Sequence, residues 1–203
     1  MDGIADLESL RSHFGTISEM AAHKVMPRLD QYSRGFIALS PFLVLATTDG
    51  GGGVDASPRG DAPGFVAMPD ETTLIIPDRP GNRRVDSFSN VIRQPAVGLI
   101  FFVPGINETL RVNGTGRVVT DGELLTPLAA QGKVPATALS VAIGEVFFHC
   151  GKALIRSKLW DASRHVARGS FPSLGQIIAD QTALMDAGSA EQAIATAYRE
   201  KLY

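Results

Sequence analysis

Phe42-Leu43-Val44-Leu45-Ala46-Thr47-Thr48 is followed by Asp49-Gly50-Gly51-Gly52-Gly53 and then by Val54-Asp55-Ala56-Ser57. The first seven residues are rich in strand formers, the glycines supply a turn, and Val54 to Ser57 returns as a partner strand. The same pattern recurs downstream. Phe65 to Met68 and Thr73 to Ile76 read as a further pair around Pro69-Asp70. Ala96 to Val103 is a continuous apolar run, expected to be a central strand covered on both faces. Thr109 to Thr120 alternates between apolar and polar, and Thr137 to His149 closes the set. About six strands joined mostly by short turns predict a mainly β fold with flanking helices, a small closed or split barrel. A parallel sheet fits less well, because regular helices do not separate the strands.

Helical periodicity lies outside and between these strands. Leu7, Leu10, Phe14 and Ile17 share one face, and a second helix is expected from Arg28 to Leu39, ending at Ser40-Pro41. A short helix is expected from Arg83 to about Ile92, with Val85, Phe88 and Ile92 inward. Asp121 to Ala130 reads as helical despite Pro127, as do Lys152 to Trp160, Leu174 to Met185 and Ala190 to Leu202. The chain therefore divides as one domain, 1–203: N-terminal helices over 1–40, a barrel core over 41–160 and a helical tail over 161–203. Ala162 to Ser173 is the expected mobile link.

The totals narrow the function classes. Of 203 residues, 44% are hydrophobic and 20% charged, enough to bury a real core. Nineteen Lys and Arg against twenty-one Asp and Glu leave a net charge of −2, which argues against non-specific attraction to nucleic acid or membranes. Cys150, the single cysteine, cannot form an intrachain disulfide. Met1 to Arg11 is acidic and resembles neither a signal nor a transit peptide, so a cytoplasmic location is expected. His13, His23, His149 and His165 have no metal-ligand spacing, and none of the residues offers itself as a general acid or base.

Three segments could carry chemistry. In Ile75-Ile76-Pro77-Asp78-Arg79-Pro80-Gly81-Asn82-Arg83-Arg84 a strand ends, a turn follows and a helix is expected to begin at two arginines. Free N–H groups at a helix start, two guanidinium forks and Asn82 suit a phosphate. The alternative is a solvated helix start whose arginines pair with neighbours such as Asp78 and Asp86. In Asp55-Ala56-Ser57-Pro58-Arg59-Gly60-Asp61 small residues suit a strand edge lying against a flat ligand, with Arg59 as its charge; the alternative is a bulge that bends a barrel strand. In the third, Lys152, Arg156 and Trp160 stand four apart, placing two cations and an aromatic ring on one helical face. That suits a ligand edge, a dimer contact or simply a charged helix.

Ala56-Ser57-Pro58-Arg59-Gly60-Asp61, Ile76-Pro77-Asp78-Arg79-Pro80-Gly81-Asn82-Arg83, Asn107-Glu108-Thr109-Leu110-Arg111-Val112-Asn113-Gly114, and His149-Cys150 with Ala153 to Trp160 occur in that order. Together they resemble the pyridoxamine 5′-phosphate oxidase-related, FMN-binding split-barrel family, in particular its branch of FMN-dependent enzymes, over roughly Arg34 to Asp161. The resemblance implies a split β-barrel and a homodimer with FMN at the subunit interface. It implies Ser57, Pro58, Arg59 and Gly60 beside the isoalloxazine ring, Pro77 and Asp78 beside the ribityl chain, and Asn82, Arg83 and Arg84 at the phosphate. Glu108 and Thr109 would reach the cofactor, and Lys152, Arg156 and Trp160 would complete the site, the last segment from the partner subunit. It further implies a flavin-dependent oxidoreductase acting on a small molecule. A non-catalytic flavin carrier, or a barrel holding haem or a deazaflavin, stands as the alternative. The lysine-ending strand motif and the Trp- and Arg-marked substrate segment of the vitamin B6 oxidases are not evident.

Overall fold

The glycine hairpin forms as its sequence dictates. Strands β1 (Phe42–Thr48) and β2 (Val54–Gly60) pair antiparallel from Thr48 opposite Val54 to Phe42 opposite Gly60. The Asp49 carboxylate closes the turn by accepting from the N–H groups of Gly51 and Gly53 at 2.7 and 2.9 Å. β2 extends three residues beyond Ser57, so Pro58, Arg59 and Gly60 belong to the strand. Pro58 is tolerated because β2 is an edge and its missing N–H faces no further strand.

The computed structural model describes residues 3–203; Met1 and Asp2, the start of the acidic opening stretch, lie outside the described residues. Strands β3 (Thr73–Pro77), β4 (Ala96–Phe102), β5 (Thr109–Val119) and β6 (Ala138–His149) complete one antiparallel sheet of order β2-β1-β4-β5-β6-β3. Phe65 to Met68 does not become the expected strand. Ala67 exchanges two hydrogen bonds with Ile75, and Gly64 at φ 82° on one side and Pro69 on the other leave room for no more.

Laid flat, six strands would hold their edges about 24 Å apart. Instead Arg59 of β2 and Asp78, just past β3, meet at 3.1 Å. The sheet is therefore curled into a split barrel, closed at this point by side chains rather than by backbone pairing. Leu43 and Leu45 of β1, Ile76 of β3, Leu99 and Phe101 of β4, Val112 of β5 and Leu139 of β6 fill one shared core. β4 is central as expected but not covered on both faces. Val97, Leu99 and Phe101 are buried inside, while Gly98, Ile100 and Phe102 on the outer face are only half-buried.

β5 and β6 are long, and a bulge at Asn113/Gly114 lets them bend around the core. A Cβ at Gly114 would collide with the Ala142 carbonyl. Beyond the bulge, α5 (Gly122–Leu125) passes into a short 3-10 turn at Thr126–Leu128, where Pro127 interrupts the helix expected there. Leu125 and Leu128 cover Ile75, Val119 and Ala138 in a second, smaller core, which buries β3 on both faces.

Among the flanking helices, α1 (Leu7–Phe14) stops at Gly15, so Ile17 lies outside it, and Leu7, Phe14 and Ile17 are exposed. A one-turn helix, α2 (Glu19–His23), follows. The helix expected from Arg28 begins instead at Gln31, as α3 (Gln31–Leu39). Asp30 takes the N-cap position, where its carboxylate accepts from Ser33 N–H at 2.8 Å and the Ser33 hydroxyl accepts from Asp30 N–H at 2.8 Å. The remaining helices are α4 (Asp86–Arg93), α6 (Lys152–Ser157), α7 (Leu174–Thr182) and α8 (Ala187–Glu200). The link from Ala162 to Ser173 contains two 3-10 turns, at Ala162–Arg164 and Arg168–Ser170. Among the described residues no helix is long and apolar enough to cross a membrane.

Candidate functional site

A cleft of about 940 Å3 opens where the two sheet edges meet. Its size lies within the range of small-molecule sites, roughly 300–1,000 Å3. β2 forms one wall through Asp55 to Gly60, and the segment from Pro77 to Ser87 forms the other. Phe65, Phe88, Glu200, Lys201 and Tyr203 complete the lining. The cleft thus collects Ser57, Pro58, Arg59, Gly60, Pro77, Asp78, Asn82, Arg83 and Arg84, all named from sequence.

The period of a strand orients β2. Asp55, Ser57 and Arg59 are half-buried, and Ala56, Pro58 and Gly60 between them are exposed. Asp55 accepts from the Ser87 hydroxyl at 2.7 Å, tying β2 to the start of α4. Arg59 spends one arm, Nη1, on Asp78 and lies over the Phe88 ring, its guanidinium carbon 5.7 Å from the centroid. Its Nε is buried without a hydrogen-bond partner among the described residues, a donor in need of an acceptor. Burial pushes the Asp78 carboxyl above the usual carboxylate range, and the nearby guanidinium groups of Arg59 and Arg79 only partly offset this.

The opposite wall departs from the helix expected at Arg83. The Asn82 side chain accepts from Arg84 N–H at 3.0 Å, and Arg83 and Val85 take φ of 61° and 52°. That conformation delays α4 to Asp86 and leaves Val85 at its N-cap position, with no side chain bonded to the free N–H groups of the first turn. Both arginines are exposed at the cleft rim rather than carried on the helix. Arg84 pairs with Asp86 at 2.7 Å, whereas Arg83 has neither an ion-pair nor a hydrogen-bond partner among the described residues. Alternating signs of φ along such a loop turn successive N–H groups toward one side, a concavity suited to an anion.

The other five residues named from sequence do not line this cleft. Glu108 is exposed, and Thr109 is buried opposite His149 at the start of β5. Lys152 and Arg156 are exposed on α6. Trp160 does not share their helical face: Lys158 turns left-handed at φ 51° and ends the helix, and the indole N–H donates to the Ile106 carbonyl at 2.9 Å. The turn before β5 thus meets the α6 region at two points, Trp160 on Ile106 and Gly151 packed closely against Asn107.

Sequence reading missed the contribution of the tail. Tyr203 donates from its hydroxyl to Asp61 at 2.6 Å, and Asp61 accepts from Arg79 on its other oxygen at 2.6 Å. A lone tyrosine after an amphipathic helix carries no signal of such a contact. No curated protein matches the chain. Among solved structures, HupZ from Group A Streptococcus is similar at 18% identity and a TM-score of 0.49, covering 59% of this chain and 93% of its own. A candidate pyridoxamine 5′-phosphate oxidase from Lactobacillus delbrueckii is 22% identical, with a TM-score of 0.47 and coverage of 60% and 95%. An FAD binding protein from Mycobacterium smegmatis is 13% identical, with a TM-score of 0.43 and coverage of 61% and 97%. The family model described as Pyridoxamine 5′-phosphate oxidase matches residues 29–150, which take in α3 and all six strands, and the chain belongs to that family.

Proposed function

We propose that this protein binds FMN in the cleft and uses it as a flavin-dependent oxidoreductase on a small molecule. The observation that carries the reading is the convergence on one cleft of two arginines with unspent donors among the described residues: Arg59 on β2, whose buried Nε has no hydrogen-bond partner, and Arg83 on the facing loop, whose guanidinium has none. A ligand that answers both needs an anionic group at one end and a polar acceptor on a flat body at the other. FMN has both. Arg83, Asn82 and the uncapped first turn of α4 would hold the phosphate, with Arg84 shared between it and Asp86. Ser57 to Gly60 would flank the ring system, and Pro77 and Asp78 the chain between.

FMN supplies a two-electron acceptor and donor when bound. The chain's own residues do the rest. Arg59 places positive charge where the ring gains electrons and is fixed by Asp78 and Phe88. Phe65, Phe88 and Tyr203 keep water from that face. Membership of the family supports the reading. A homodimer is part of the proposal, because Glu108, Thr109, Lys152, Arg156 and Trp160 can join the site only from a second copy.

The absorption spectrum of the purified protein tests this directly. The two long-wavelength bands of an oxidised flavin, with released FMN identified by mass, are expected. A Soret band or a deazaflavin spectrum would replace FMN with the corresponding ligand.

A further inference from the structure

The helices α7 and α8 form a tight hairpin; a Cβ at Gly175 would sit 2.8 Å from the Glu191 nitrogen. That hairpin has little hold on the barrel. Among the described residues, every hydrogen bond between residues 166–203 and the rest of the chain is made by Tyr203. Its carbonyl accepts from Lys133 Nζ at 2.7 Å, and its hydroxyl donates to Asp61 Oδ1 at 2.6 Å.

Asp61 is a strong anchor. Its side chain is only 4% exposed, and it accepts from Ala62 N–H at 2.7 Å and from Arg79 Nε at 2.6 Å besides Tyr203. A hydrogen bond to a buried carboxylate is worth more than one between neutral groups. Arg79 in turn lies over the Tyr203 ring at 5.8 Å, and both line the cleft with Lys201 and Glu200. One residue therefore serves as a wall of the cavity and as the fastening of the hairpin that ends beside it.

We propose that Tyr203 is a specificity-determining latch: its ring narrows the cleft to a planar ligand, and its bond to Asp61 holds the end of α8, Glu200 and Lys201 at the cleft wall, so that ligand entry and release require the latch to open. The identity of the ligand rests on the proposed FMN site; the latch itself does not.

The test has two arms, so that the two readings can fail separately. In ligand-free protein, backbone hydrogen exchange over residues 187–203 is compared among wild type, Tyr203→Phe, Tyr203→Ala and Asp61→Asn. Loss of a hydrogen bond to a charged group raises local opening roughly tenfold or more. All three variants should show this, with exchange in β4 and β5 unchanged in the two Tyr203 variants. In the second arm, stopped-flow fluorescence follows FMN. Tyr203→Phe should release FMN roughly tenfold faster. Tyr203→Ala should in addition admit a bulkier N5- or C8-substituted flavin that the wild type excludes. Wild-type exchange over 187–203 in every variant, or unchanged release and ligand choice in Tyr203→Ala, would overturn the latch. Failure of wild type to bind FMN would overturn the cofactor reading instead, with the exchange arm still deciding whether Tyr203 fastens the hairpin.

Discussion

Arg59 and Asp78 sit at the two ends of the sheet order and meet at 3.1 Å, so one ion pair spans the gap in the barrel. The pair also stands inside the cleft, which places closure of the fold and construction of the site on the same two side chains.

Replacing Arg59 by Met should therefore be felt in stability as well as binding. The pair is partly exposed, so the loss expected at neutral pH is about 1–2 kcal/mol. Asp78 already titrates above the usual carboxylate range because of burial, and removing Arg59 raises it further. A carboxyl raised in the folded state costs stability above that folded pKa and costs nothing once pH falls below its unfolded value. The deficit of Arg59→Met in urea midpoint should thus shrink on acidification from pH 7 through the raised Asp78 pKa. A deficit independent of pH would contradict the pairing.

Asp61 predicts the opposite sign. Burial pushes its carboxyl up, but bonds from Tyr203, Ala62 and Arg79 outweigh this and hold it below the usual range. Its stabilising contribution is present above the unfolded carboxylate pKa, about 3.9, and is lost as pH falls through the depressed folded value. Asp61→Asn should be less stable than wild type at pH 6 and should lose less stability between pH 5 and pH 2. The measurement is the urea midpoint across that range.

Much of the barrel was legible because its signals are local. Glycines after Asp49 require a turn, and alternation over Thr109 to Thr120 marks a long half-exposed strand. The apolar run from Ala96 misled about cover, since composition cannot reveal that nothing packs on Ile100 and Phe102 fully. Nine of the fourteen residues named for the site converge on one cleft, because β2 and the loop after β3 are brought together by the curl. The start of α4 was misplaced for a physical reason: an Asx turn at Asn82 and left-handed Arg83 and Val85 override a helical pattern. The Tyr203–Asp61 contact spans 142 positions and leaves no periodicity to read.

Val85 offers a check on that loop. A β-branched residue at φ 52° is strained. Val85→Gly should raise stability by about 0.5–1 kcal/mol, the relieved left-handed strain less the added chain entropy. Thermal unfolding with constant enthalpy would show it. A loss of stability would mean that Val85 contributes packing beyond its half-exposed position.

Two glycines contrast the crowded bulge with an open position. Gly114→Ala forces a methyl into the Ala142 carbonyl and should cost about 1–3 kcal/mol or prevent folding. Gly122→Ala, in α5 with open space around it, should be neutral or stabilising by up to about 1 kcal/mol. Equal effects at the two positions would contradict the close approach of β5 and β6.

The most direct measurement is a fluorescence titration of FMN with wild type and with the Arg83→Ala, Arg84→Ala double variant, each shown by circular dichroism to be folded. Each charge-assisted bond lost from a phosphate corresponds to about 1.5–3 kcal/mol, so affinity should fall by at least about tenfold, and riboflavin, which lacks the phosphate, should bind both proteins alike. Equal, stoichiometric FMN binding by the two proteins would show that the anion is held elsewhere.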